Sequence, residues 1–343
     1  LSDEHRRRPR YSGTHPKTFT EKYKEQDPGR YAADVEKVKA RGQTPAGTHR
    51  PILLDEILAF LDPQPGQTGL DATLGYGGHS SALLARVQPG GCLAATDVDP
   101  LELPKTEARL RALGFPAESL LVRRQNFSGI DLLLPLTGPF DFVLADLGVS
   151  SMQIDNPDRG FTFKIAGPLD LRLNPQVGKP AWALLEGLTR RVLETLLTEN
   201  ADEPHAGPIA RALDAKKGRI KTTKDLADTV RQVLAGVVLA DPEKDTVKTL
   251  QRTFQALRIA VNKEFDVLDA FLAALPRCTK AGARIAILTF HSGEENRVKR
   301  AFATGVGAGV YANVSDEPGR ASPQERYDNP RSKSARLHWA LRA

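Results

Sequence analysis

The sequence predicts an α/β fold, a Rossmann-like parallel sheet with an α-helical insertion, and three observations carry that expectation. Short β-rich runs alternate with helix-like ones between Leu70 and Gly148, helix-forming stretches take over after Ser151, and strand character returns in ARIAILTFH and SARLHWALRA. Strands that alternate with helices build βαβ units, which place ligands at the carboxyl ends of parallel strands.

The elements follow in order. Pro51 opens HRPILLDEILAFL, where Ile52, Leu53, Ile57, Leu58 and Leu61 keep a helical spacing. LDATLG then reads as a strand, SSALLARV as a helix, CLAATDVD as a strand and LPKTEARLRALG as a helix. SLLVRRQN (strand), SGIDLLLPL (helix) and FDFVLADLG (strand) complete the alternation. From Asp155 to Asp245 the stretches AWALLEGLTRRVLETLLTE, AGPIARALDAKK and TTKDLADTVRQVLAGVV form helices without a convincing strand between them. The economical division is a basic, disordered extension over residues 1–48, a ligand-binding domain made of 49–154 and 246–343, and a helical insertion over 155–245.

Composition narrows the function classes. With 40% hydrophobic and 26% charged residues in 343, the chain has the means to bury a full core. No apolar stretch approaches the roughly 20 residues that span a bilayer, and the acids Asp3, Glu4, Glu21 and Glu25 are unlike an organelle transit peptide. A cytoplasmic location without membrane contact is expected. Cys92 and Cys278 show no CxxC spacing, so neither a metal site nor a disulfide is expected. Of the net charge of +6, residues 1–50 supply +5, from 12 Lys/Arg against 7 Asp/Glu. Basicity concentrated in a tail suits a polyanion such as RNA, whose condensed counterions Lys and Arg release, or it serves solubility.

The turn DATLGYGGHS carries the first chemistry. Gly75, Gly77 and Gly78 follow a strand and precede a helix, where glycine admits positive φ and close approach of a ligand. The pattern is not a full GxGxxG, because Ser80 stands in the third glycine's place. Asp97 ends the next strand, where an acid accepts hydrogen bonds from ribose hydroxyls, and Asp99 before Pro100 is suited to cap a helix. NAD and S-adenosylmethionine both fit this much. Asp146 in LADLGVSS ends the fourth strand beside the same cleft; a carboxylate there attracts a sulfonium, accepts a hydrogen bond from an attacking amine, or caps the next segment.

Several further residues admit two readings each. Arg159, Phe161, Asp170 and Arg172 either shape the substrate side of the cleft, stacking on an unpaired base, or form a salt bridge with core aromatics. Arg258 and Asn262, one helical turn apart, either touch substrate or brace the insertion, and bracing is favoured. His291 and Ser292 reach the functional edge, but neighbours on an extended chain point apart, which argues against a nucleophilic pair. Arg331, Lys333 and Arg336 suit phosphate or protect an exposed strand edge.

Taken in order, HRPILLDEIL, DATLGYGGHS, DVDP, QNFS, DLGVSSMQID, RGFTF, GPLDLRLN, RTFQALRIAVNKE, AGARIAILTFHS and NPRSKSARL closely resemble the bacterial RsmH (MraW) family, over about residues 49 to 341. The resemblance implies a class I methyltransferase that uses S-adenosylmethionine to methylate the N4 amine of a cytidine in small-subunit ribosomal RNA. Its partner would be that RNA or the assembled small subunit, and a homodimer is compatible with it. It further implies that Gly77, Gly78 and His79 contact the cofactor, that Asp97 holds the ribose, that Phe127 flanks the adenine, and that Asp146 and Gln153 close the reacting end; the chemistry of a weakly nucleophilic amine then makes Asp146 the expected catalytic acceptor for its N–H bonds. The chain departs from the family at FHSGEENRVK, where Gly293 and Asn296 stand in place of the usual Leu and Arg of FHSLEDRxVK, and at ENADEPHAGPIA, where a YGEE-like stretch is usual.

Overall fold

In the computed structural model, which describes residues 51–343, the alternation predicted from the sequence becomes a 7-stranded sheet of order β3-β2-β1-β4-β5-β7-β6. The strands are β1 (Thr68–Asp71), β2 (Cys92–Asp97), β3 (Leu120–Arg124), β4 (Phe140–Asp146), β5 (Thr279–Thr289), β6 (Tyr311–Val314) and β7 (Arg336–Arg342). All pairs from β3 through to β5 are parallel, and β7 runs antiparallel between β5 and β6. The chain moves outward from β1 to β3 and then returns to β4, so β1 and β4 flank a topological switch point. Open α/β sheets bind ligands there, at the carboxyl ends of the strands. The reading of residues 1–48 as an extension lies outside the described residues.

Strand alternation divides the core into two layers. Val143 and Ala145 of β4, with Leu70, Ile285 and Ile287, face α11 (Glu264–Cys278) and α12 (Ser292–Gly307) through Leu268, Phe271, Leu272, Val298 and Phe302. Phe142 and Leu144, with Leu93, Ala286 and Leu288, face α1 (Leu54–Leu61), α2 (Gly78–Val87) and α3 (Leu103–Arg111). Two elements differ from expectation. The strand predicted through LDATLG ends at Asp71, because Thr73 and Gly75 turn the chain toward α2. SGIDLLLPL is mostly a 3-10 helix, Phe127–Leu133, followed by α4 (Leu134–Thr137), with Pro135 just inside that second start.

After α5 (Ser151–Asp155) the chain leaves the sheet for α6 (Ala181–Gly187), α7 (Arg190–Ala201), α8 (Ala206–Ala215), α9 (Thr223–Leu234) and α10 (Pro242–Asn262). Local chemistry sets the starts: Thr222 and Asp225 form a capping box on α9, and Asp241 caps α10 with Pro242 in its first turn. These helices bury a cluster of their own, including Leu193, Leu197, Ile209, Leu213, Leu226, Val230, Phe254 and Leu257. The helical core therefore runs on into α10, and Lys263, in the left-handed region, turns α10 into α11. α13 (Pro323–Asp328) precedes β7.

Candidate active site

The sequence folds the glycine turn as a packed joint as well as a ligand seat. Gly77 has φ of 80° and caps α2, and a Cβ on it would stand 2.8 Å from Thr106 Cγ2. Thr106 cannot swing aside freely, because its hydroxyl donates to the Gly75 carbonyl at 2.7 Å. A Cβ on Gly78 would meet Pro51 Cγ at 2.6 Å. Gly77→Ala should therefore lose about 2 kcal/mol of stability from positive-φ strain and overpacking together. An unchanged urea midpoint would show that the joint yields.

Asp97 lies at the end of β2, and both its oxygens meet backbone donors: Gly75 N–H reaches Oδ2 at 2.8 Å and Asp99 N–H reaches Oδ1 at 2.9 Å. Burial nonetheless pushes its carboxyl above the ordinary range, with the neighbouring acids Asp99 and Asp71 adding to the effect against those two N–H bonds. A carboxylate oxygen accepts more than one hydrogen bond, so each retains capacity for a ribose hydroxyl. Phe127 opens the 3-10 helix after β3, half-buried with its ring edge-on to Phe271 at 5.2 Å between centroids.

At the switch point the structure brings His79 and Asp146 together. His79 Nε2 lies 3.0 Å from the Ile52 carbonyl, and Nδ1 lies 3.7 Å from Asp146 Oδ2. The backbone of Asp146 is fixed by its N–H, which donates to Thr73 Oγ1 at 2.6 Å. Burial pushes the Asp146 carboxyl up to about 6, His79 opposes that shift, and Asp71 and Glu294 reinforce it. About 30% of the Asp146 side chain remains exposed, so the group is accessible as well as poised. Asp71 is fully enclosed and raised by burial, with the Ser80 hydroxyl donating to it at 2.6 Å.

Gln153 lies in the first turn of α5. It forms a capping box with Ser150, and its Nε2 donates to Asp99 Oδ2 at 2.8 Å. The same oxygen accepts from Arg159 Nη1 at 2.7 Å, and Arg159 Nη2 donates to the carbonyls of Arg172 and Leu173. Of the two readings of Arg159, the buried salt bridge is the observed one, with Asp99 as its partner, while Asp170 and Arg172 pair with each other at 2.7 Å. Asn262 braces this loop: it accepts from Leu173 N–H at 2.8 Å and donates to the Leu171 carbonyl at 2.7 Å, holding Leu171 at φ of 64°. His291 and Ser292 diverge, His291 accepting from Glu294 N–H and Ser292 donating to Asp202.

Sequence reasoning missed Asp71, Thr73 and Glu294. Asp71 carried a signal, an acid at the end of the first strand, while Glu294 did not, since only folding brings the start of α12 to β4. Ligand atoms of Glu264, His291 and Glu294 lie within 4.8 Å of one another. Arg258 already forks onto both oxygens of Glu264, at 2.9 and 3.0 Å, and supplies the positive charge such a cluster calls for. Burial pushes Glu294 up, but the His291 contact, the charges of His291 and Arg258 and the Phe290 N–H together bring it below its usual range.

Residues 46–343 match the family model described as the MraW methylase family. The chain belongs to that family. It is 51% identical over 342 residues to the ribosomal RNA small subunit methyltransferase H 1 of Lachnoclostridium phytofermentans, covering 99% of this chain and 93% of the relative. The protein of that name from Agathobacter rectalis is 50% identical over 99% of this chain and 98% of its own. The methyltransferase H 2 of Alkaliphilus metalliredigens is 50% identical over 99% of both. Coverage of 99% carries these alignments through most of the first fifty residues. This MraW-family chain is thus a methyltransferase, with S-adenosylmethionine as its methyl donor. The sheet order, the packed glycine turn, the unspent acceptor capacity of Asp97 and the acid-rich pocket around Asp146 fit a ribosyl sulfonium.

Proposed function

We propose that the chain methylates the exocyclic N4 amine of a cytidine in small-subunit ribosomal RNA. The observation that carries the reading is Asp146, a partly exposed carboxyl at the switch point with its backbone pinned by Thr73. The N4 lone pair is delocalised into the ring, so the amine attacks poorly unless it is aligned and a group stands ready for its proton. Bound S-adenosylmethionine supplies an electrophilic methyl on a positively charged sulfur. The chain's own residues do the rest: Asp97 orients the ribose, Phe127 flanks the adenine, the turn at Gly77, Gly78 and His79 closes over the cofactor, and Asp146 accepts the N–H bond of the amine. Gln153 contributes through Asp99, keeping the wall of the site in place.

A paired base cannot present its amine in line with the methyl group, so the cytidine is expected unpaired or flipped. The helical layer from residue 155 to 245 supplies a surface for the surrounding RNA. Among the described residues no helix is long and apolar enough to cross a membrane, and the site of action is the cytoplasm. Purified protein, labelled S-adenosylmethionine and small ribosomal subunits lacking their native methyl groups give the direct test. Mass spectrometry of the nucleosides should find label in N4-methylcytidine; label in another nucleoside reassigns the acceptor.

A further inference from the structure

His79 stands in a relation to Asp146 that contact with a cofactor does not require. A ring nitrogen 3.0 Å from a carbonyl oxygen must carry a hydrogen to bond it, so the Ile52 carbonyl places the proton on Nε2. Nδ1 is left facing Asp146 Oδ2 at 3.7 Å. With Nε2 committed, Nδ1 and the carboxylate share one proton or face each other as two lone pairs.

The carbonyl that sets this arrangement is itself held. Pro51 packs on Gly78, Leu53 takes φ of 55°, and Leu53 N–H donates to Glu325 Oε1 at 2.9 Å from across the chain. A residue as bulky as leucine in the left-handed region is strained, and such strain persists where the surroundings over-determine it. Residues 51–53 thus form a strap over the start of α2, fastened at both ends, whose one polar group turned to the site is the Ile52 carbonyl.

We infer that His79 is a positioning residue that receives, through Asp146, the proton released by the acceptor amine, with the strap at Ile52 fixing the tautomer that makes this possible. The inference rests on the amine acceptor proposed above. The nitrogen lone pair forms the N–C bond as the C–S bond breaks, its electron pair passing to sulfur and cancelling the sulfonium charge. The nitrogen, now positive, loses one hydrogen to Asp146, which passes it to Nδ1, and imidazolium beside carboxylate is the resting place of that proton until solvent takes it. The groups facing Asp146 are Asp71 at the end of β1, His79 on α2 and Glu294 on α12. Two are acids that oppose its ionisation, and only His79 favours it.

His79→Gln tests this, since glutamine keeps an N–H for the Ile52 carbonyl and loses the proton acceptor. Its kcat should fall about tenfold or more, and the acid limb of its pH–rate profile should move up by about half a unit or more, because the one group lowering the Asp146 pKa is gone. Affinity for S-adenosylmethionine, read by calorimetry, should fall by less than kcat does, since the loss of proton acceptance adds to the loss of any cofactor contact. An unmoved limb with weakened binding would make His79 a cofactor contact alone; an unmoved limb with less folded enzyme would make it structural. Either overturns the inference. Nitrogen-15 spectra of the histidine ring give a readout independent of turnover: Nε2 protonated with Nδ1 bare at high pH is expected, and the opposite tautomer sinks the proposal. If wild-type enzyme labels no amine while that tautomer is found, the acceptor reading has failed and the His79 geometry stands.

Discussion

Asp146→Asn is expected to lower kcat by about 100- to 10,000-fold, the range over which a positioned proton acceptor contributes, while affinity for cofactor and RNA changes far less. Asparagine matches the shape of aspartate and keeps the backbone N–H on Thr73, so the loss falls on charge and proton acceptance. The sign of the pH dependence is fixed by burial, which raises the Asp146 carboxyl to about 6. In the proposed role the ionised form is the active one, so wild-type activity should be lost as pH falls through about 6, and the asparagine variant should show no such limb. Stability separates this from unfolding. A carboxyl raised in the folded state is a charge the fold would shed, so at neutral pH the variant should be at least as stable as wild type. Equal losses in kcat and in affinity would assign Asp146 to binding instead.

The fold was legible because its signals are local. The β-rich runs gave six of the strands by their own pattern, and β6 (Tyr311–Val314) alone had no counterpart, being a short edge strand with two exposed residues. Asp97 and Asp146 were legible because a strand end at the carboxyl edge is a position that sequence alternation locates. What the sequence withheld was pairing at long range. Asp99 reads as a helix cap; it closes the turn just before α3 instead, with Leu101 N–H on Oδ1 at 2.9 Å, while the helix itself is capped at Glu102 without a side-chain bond. Its other oxygen, however, gathers Gln153 and Arg159 from 54 and 60 residues away, and no periodicity announces that. The place of Gln153 against Asp99 follows from the same cause. His79 shows the limit most clearly: the residue type was visible, but the carbonyl that selects its tautomer belongs to a strap 27 residues earlier.

That long-range pairing supports the second large prediction. Arg159→Ala should cost about 3–5 kcal/mol, the penalty for leaving one member of a buried ion pair without its partner. Arg159 is 6% and Asp99 1% exposed, so solvent cannot compensate the stranded carboxylate. The guanidinium also serves the carbonyls of Arg172 and Leu173, which would lose their donors in the same step. Function should follow stability along a traceable path. Asp99 N–H holds Asp97 Oδ1, and Asp97 Oδ2 holds the glycine turn through Gly75, so a displaced Asp99 disturbs both the Asp97 carboxylate proposed to hold the ribose and the turn above it. Cofactor affinity should therefore weaken even in the fraction that remains folded, although Arg159 need not touch the cofactor. Replacing the pair together, Arg159→Met with Asp99→Asn, should recover much of the stability, because a neutral pair carries no stranded charge. Recovery of stability without recovery of cofactor affinity would show that the ion pair is kept for the geometry of the site; a double variant as unstable as Arg159→Ala would show that the lost carbonyl donors, and not the charge, carry the cost.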